Sequence, residues 1–166
     1  MLYSYDIGAA RHEIDDLFWK DFCDNYIEIV KSRLYEPGIH GYEERKSGQY
    51  ALYYALFNIL KLYSIYVPHI TDHIYQSFFK RHEKTISIHL THWAKPTGID
   101  GNLMEFGEQL KNTMFEVRKY KSERNLSMKT EMDKLVINTI PKFAEWFKET
   151  EKDLLACTNA KKLEFC

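Results

Sequence analysis

Residues 118–124 read Arg-Lys-Tyr-Lys-Ser-Glu-Arg, the densest basic stretch of the chain. From Glu116 to Lys129 there are five Lys or Arg against two Glu. Lysine and arginine neutralise phosphates, and an aromatic ring or a guanidinium plane stacks on an unstacked loop base. Arg118, Lys119, Lys121 and Arg124, with Tyr120 interleaved, offer both functions in one turn and a half of helix. The competing reading is a solubilising helix end, where positive charge also complements the macrodipole. Lys31 and Arg33, with Arg45 and Lys46 beyond them, form a second, sparser patch.

Other chemistry is harder to place. His69 and His73 lie four apart, a spacing that puts two imidazoles on one helix face, and His89 and His92 form another pair. Neither pair has the glutamate of an HExxH arrangement or an assignable third ligand, so both read as ordinary histidines and no metal site is expected. Asp15, Asp16, Asp21 and Asp24 have the spacing of a solvated helix face, pairing with Arg11 or Lys20 at steps of three and four. Cys23, Cys157 and Cys166 are odd in number and lack C-x-x-C spacing, which argues against a disulfide framework or a zinc site. Cys23 reads as a small packed hydrophobe. There is no glycine-rich phosphate loop and no G-x-S-x-G elbow, so no catalytic residue is assigned.

The elements that must position these residues are mostly helical. Ile14, Phe18, Phe22, Tyr26 and Ile29 step by three and four along one side of a long amphipathic helix. Leu17, Trp19 and Val30 widen that stripe, and Trp19 reads as a core anchor rather than a stacking platform. The helix extends over Tyr3–Leu34 as one or two pieces with Gly8 as a weak point, and begins without a capping segment. That abrupt start suggests a piece of a longer chain. Glu36-Pro37-Gly38 ends it, and Ile39–Ser47 reads as a polar loop. A second helix carries Leu52, Leu56, Ile59, Leu60, Tyr63 and Val67. A third opens at Pro68 and buries Ile70, Ile74 and Phe78.

Ile86, Ile88 and Leu90 alternate with Ser87 and His89, a period of two that predicts a short extended segment. After a connector at Thr97–Asn102, Leu103, Phe106, Leu110, Met114 and Val117 mark the helix that runs into the basic stretch. Leu135–Ile137 reads as a strand, Pro141 opens a helix reaching toward Leu155, and Leu163–Phe165 reads as a second strand. The fold class is mainly α: an antiparallel helical bundle over 1–130, with a small C-terminal α/β appendage over 131–166.

Composition is consistent with a packed domain: 45% of the 166 residues are hydrophobic and 15% aromatic. With 23 basic and 24 acidic residues the net charge is -1, so nucleic-acid binding must rest on local clustering. No apolar run approaches membrane-spanning length, no signal peptide is evident, and a cytoplasmic location is the expectation.

The phrase Phe18-Trp19-x-x-Phe22-Cys23-Asp24-x-Tyr26-Ile27-Glu28, continued by Lys31, Arg33, Leu34 and Tyr35, resembles the valyl-tRNA synthetase family. That family carries it on the central helix of its anticodon-binding domain. Pro68-His69-Ile70-Thr71-Asp72 continues the likeness, with His73 and Tyr75 departing from an acidic residue and a Trp. Ser87–Leu90 and Trp93 resemble the phrase that closes the bundle, with Ala94 in place of the usual Pro. The resemblance places Asp24 and Glu28 in a structural signature.

It implies an anticodon-binding domain that holds the anticodon stem-loop of valine tRNA and works with the catalytic and editing domains of a parent enzyme. The RNA-binding candidates are Arg118, Lys119, Tyr120, Lys121, Arg124, Lys31 and Arg33. The HIGH-type and KMSKS-type motifs of that class are missing, since Ser127-Met128-Lys129-Thr130 lacks the required lead. No cofactor is therefore expected in this chain, ATP and magnesium belonging to the parent enzyme, and neither DNA nor membrane is an expected partner. Two rivals are the same domain of an isoleucyl or leucyl enzyme and a helical protein-interaction module. Phe18-Trp19 and Phe22-Cys23-Asp24 argue against the first rival.

Overall fold

A computed structural model describes residues 6–93, 98 and 100–166. The fold is mainly helical with one two-stranded parallel sheet, as the patterning predicts. Two compact units share the chain: Met1–Ile27 with Lys46–Lys95, and Glu28–Arg45 with Pro96–Cys166. The sequence-based division at residue 130 follows the change of element type; the compact units follow the packing.

In the first unit, Asp6 caps α1 (Ile7–Asp16) by accepting from the Ala9 amide at 2.9 Å. The expected start at Tyr3 lies outside the described residues. Leu17–Ile27 then winds as a π-helix, whose i→i+5 bonding widens each turn. Steps of four stay in line along it: Phe18 and Phe22 stack at 6.3 Å between centroids, and Phe22 and Tyr26 at 6.2 Å. Trp19 falls off that line and is 59% exposed, its ring edge against Phe18, so it is not the core anchor its flanking position suggests. Tyr63 on α4 (Tyr42–Tyr63) donates to Asp15 at 2.6 Å and fastens α1.

α5 (Pro68–Ile74) has Pro68 in its first turn as predicted, and continues through a π-helical stretch (Tyr75–Phe79) into α6 (Lys80–Glu83). Its buried row is Thr71, Tyr75 and Phe79, not Ile70, Ile74 and Phe78; Ile70 and Phe78 are exposed. Tyr75 decides the rotation. Its ring is fully buried against Phe57 and its hydroxyl donates to the Thr85 carbonyl at 2.8 Å, a bond that an outward-facing Tyr75 would lose. Phe57, Leu60, Tyr75, Phe79 and Ile88 form this unit's core.

The segment expected to be extended is a 3₁₀ turn at Ile88–Leu90. Ile88 is buried, whereas Ile86 and Leu90 are exposed. The cause is Asp72, whose carboxylate accepts from the Ser87 hydroxyl at 2.7 Å and the Ile88 amide at 3.0 Å, bending the chain where alternation would have continued.

The second unit holds α2 (Glu28–Tyr35), the short α3 (Pro37–His40) and the first turn of α4. The polar loop expected over Ile39–Ser47 is largely helix. Gly41, at φ +95°, makes the reversal that no side-chain-bearing residue adopts cheaply, and Glu43 and Glu44 suit the positive N-terminus that follows. α7 (Gly101–Glu123) is capped by Asp100, which accepts from Asn102 and Leu103.

β1 (Leu135–Ile137) pairs in parallel with β2 (Leu163–Phe165), and α8 (Pro141–Glu149) and α9 (Glu151–Thr158) make the crossover. Both strands match their predicted limits. Phe106, Met114 and Val117 of α7 share one core with Leu135, Ile137, Phe143, Phe147 and Leu154, and Ile29 of α2 packs on it. Two strands and two short helices cannot enclose a core alone, so the expected appendage is merged with its helical neighbours.

Candidate RNA-binding surface

The apolar row of α7 runs Phe106, Leu110, Met114, Val117, and its next helical step is Lys121. Lys121 is accordingly fully buried. Its ammonium donates to three carbonyls: Met128 at 2.9 Å, Thr130 at 2.8 Å and Thr158 at 2.8 Å. Burial pulls its pKa below the ordinary lysine value, with Cys157 opposing. A lysine so enclosed cannot meet a phosphate, and Lys121 leaves the RNA-binding set. It ties the turn after α7 to the end of α9.

Arg33 leaves it too. Its Nε donates to Asp153 Oδ1 at 2.7 Å and its Nη2 to Oδ2, a bidentate pair on a carboxylate that is almost wholly buried. His40, also buried, lies with Nδ1 3.8 Å from the same carboxylate and bonds Ser32 Oγ through Nε2 at 2.9 Å. The pattern holds α2 and α3 against α9. Neither His40 nor Asp153 stands out in the sequence, because their partners are distant along the chain.

The remaining candidates face outward. Lys119, Tyr120 and Arg124 are exposed, and the Arg124 guanidinium lies over the Tyr120 ring at 4.0 Å from its centroid. Arg118 is half-buried and already engaged within the protein. Lys31 is exposed on α2 with Glu28 at 3.5 Å. The helix end thus offers a cation–ring stack flanked by a second charge, the equipment for a phosphate and an unstacked base.

The same turns of α7 wall a cleft of about 940 Å³ that sequence reasoning did not find. Gln109, Asn112, Glu116 and Tyr120 form one wall and the segment Glu131–Asn138 the other. Its only sequence signal is the polar row at steps of three and four beside the apolar one.

Arg11 meets Asp15 at 3.6 Å and Lys20 meets Asp16 at 2.7 Å, the predicted helix-face pairs. His69, His73, His89 and His92 are exposed, and among the described residues no three ligating side chains gather. Burial, with Asp153 nearby, pushes the Cys157 thiol up to about 12, and burial likewise raises Cys23. Both thiols pack rather than react.

A family described as the anticodon-binding domain of tRNA ligases matches residues 1–137. The chain belongs to that family. It is similar to the valine–tRNA ligase of Thermococcus kodakarensis, 32% identical over 162 residues, covering 96% of this chain and 18% of that protein. The valine–tRNA ligase of Pyrococcus abyssi is 31% identical over 165 residues, covering 98% and 18%. That of Rickettsia conorii is 34% identical over 172 residues, covering 99% and 20%. The chain therefore spans about a fifth of these relatives' length. Among the described residues no helix is long and apolar enough to cross a membrane.

Proposed function

We propose that this anticodon-binding domain grips the anticodon stem-loop of valine tRNA in the cytoplasm. It would thereby position the tRNA for ATP- and magnesium-dependent aminoacylation by the catalytic domain of a parent valine–tRNA ligase, which also carries the editing domain. The observation that carries the reading is near-complete coverage of the chain by valine–tRNA ligases within a tRNA-binding family. The exposed Lys119, Tyr120 and Arg124 support it, with Lys31 as an outlying charge.

The division of labour follows from chemistry. Lys119 and Arg124 neutralise phosphates and set affinity, so binding weakens as salt releases the counterion advantage. Tyr120, stiffened by the guanidinium on one face, stacks a splayed base. The test is a titration of the chain against valine tRNA and a non-cognate tRNA at two salt concentrations. Preferential, salt-sensitive binding to valine tRNA is expected. Replacing Lys119 and Arg124 together by Ala should flatten the log–log salt slope by roughly 1 to 2. Equal binding of both tRNAs, or a double variant with unchanged slope, overturns the assignment.

A further inference from the structure

We infer that the α4–α6 face of the first unit is a second RNA contact, taking phosphates on Lys46, Arg81 and Lys84 and an unpaired base on the Tyr50 and Tyr54 rings. It rests on the reading that this chain binds tRNA, and it uses none of the residues proposed at the end of α7.

Charge is spread unevenly along the chain. The whole carries -1, yet residues 45–99 hold seven Lys or Arg against two carboxylates, Asp72 and Glu83. Both carboxylates are engaged: Asp72 accepts from Ser87 and Ile88, and Glu83 accepts from the Tyr53 hydroxyl at 2.7 Å. Lys61 is buried and donates to the His92 carbonyl. Lys46, Lys80, Arg81 and Lys84 are exposed, and among the described residues no carboxylate pairs with any of them. The unit's other carboxylates lie on α1, its cap and the π-helix. The hydrogen bonds from α4 to those elements come from its far end, Tyr63 to Asp15, with Tyr66 just beyond it bonding Ile7. Glu43 and Glu44 precede Tyr50 by about two turns, roughly 10 Å along the axis, at the helix N-terminus that favours them.

Tyr53 ties the charged end of α6 to the tyrosines of α4. Its hydroxyl reaches Glu83, its ring packs on the buried Phe79 at 4.9 Å, and the His82 ring meets it edge-on at 5.8 Å. His82 in turn accepts from Arg81 Nε at 2.9 Å, which holds the guanidinium at this junction. Burial and the Glu83 bond raise the Tyr53 pKa, and the Arg81 charge opposes them. Lys46, Tyr50 and Tyr53 stand at steps of four and three on one side of α4. Tyr50 is 70% exposed, and its ring lies nearly parallel to that of exposed Tyr54, 18° between planes and 6.3 Å between centroids. Cations at a helix end answer the macrodipole, but that leaves two tyrosine rings stacked in solvent unexplained. Single-stranded RNA uses both features, its phosphates meeting the cations and a base meeting a ring face. An acidic peptide would engage the cations alone.

The test titrates the full chain with valine tRNA and with an eight-nucleotide oligouridylate, reading affinity against salt and the tyrosine ring signals by NMR. The oligouridylate should shift the Tyr50 and Tyr54 ring signals of the parent chain upfield. Arg81→Gln with Lys84→Gln should flatten the log–log salt slope for tRNA by roughly 1 to 2. Tyr50→Ala with Tyr54→Ala should weaken oligouridylate binding roughly tenfold, and Tyr50→Phe with Tyr54→Phe should restore it. The Lys119 and Arg124 double variant separates the two surfaces. If it alone weakens binding, with affinity and slope unchanged in Arg81→Gln with Lys84→Gln, this face is overturned and the α7 set stands. The reverse result keeps this face and removes the α7 set, and no binding of either RNA at low salt overturns both. Unmoved tyrosine signals at saturating oligouridylate overturn the proposal, as does equal affinity for an eight-residue polyglutamate, which would leave a bare basic patch. The ring signals are read on the parent chain, so a variant that fails to fold leaves the test intact.

Discussion

Lys121 and Arg33 carry the chemistry of RNA binding by type, yet the fold spends both on itself. Lys121 donates to three carbonyls, of which the Met128 carbonyl also accepts from Asn159 at 3.2 Å. Lys121→Met keeps the volume and removes the donors, and should cost about 3 kcal/mol in urea denaturation, with tRNA affinity of the folded fraction retained. Arg33→Ala strands the buried Asp153 carboxylate and should cost about 3–5 kcal/mol. A variant that loses RNA binding at unchanged stability would return either residue to the interface. Lys121 was legible in principle, since it stands four residues after Val117 on the buried row. Residue type outweighed spacing in reading it as a surface charge. Arg33 was not legible, because its partner lies 120 residues away.

At the scale of elements, local signals read well where one residue dictates the backbone. Pro68 and Pro141 open helices, and Leu135–Ile137 and Leu163–Phe165 are strands at their predicted limits. Elements set by long-range polar contacts read poorly. The 3₁₀ turn at Ile88–Leu90 exists because Asp72, on another element, captures Ser87 and Ile88. This has a pH signature. The Ser87 hydroxyl, with the Ile88 amide and Gln76, holds the Asp72 carboxyl below its usual range despite some burial. A depressed native pKa stabilises the fold above the unfolded value, near ~4, and that stabilisation is lost as pH falls through the native value. Asp72→Asn should lower stability at pH 7 and show a smaller further loss on acidification than the parent chain, measured by urea midpoints across that range.

For the whole molecule, the sequence conveyed fold class and family but not the grouping of segments. The unit containing β1 and β2 also recruits α2, α3 and α7, because a two-stranded sheet must borrow apolar neighbours. Function at this scale is recognition. Added to a charging reaction, the chain should form no valyl-tRNA of its own. It should inhibit a full-length valine–tRNA ligase competitively with respect to tRNA, which steady-state kinetics would read directly; inhibition competitive with ATP would contradict the proposed role.

The ion pair between Arg33 and Asp153 also sets an order of events on the ribosome. At roughly 5–20 residues per second, Arg33 of α2 is made some 6–24 s before the carboxylate that anchors it, 120 residues on. For the first part of that interval, until α7 is made, Ile29 has none of the core it packs on to cover it. The nascent chain therefore presents this face of α2 uncovered early in its synthesis.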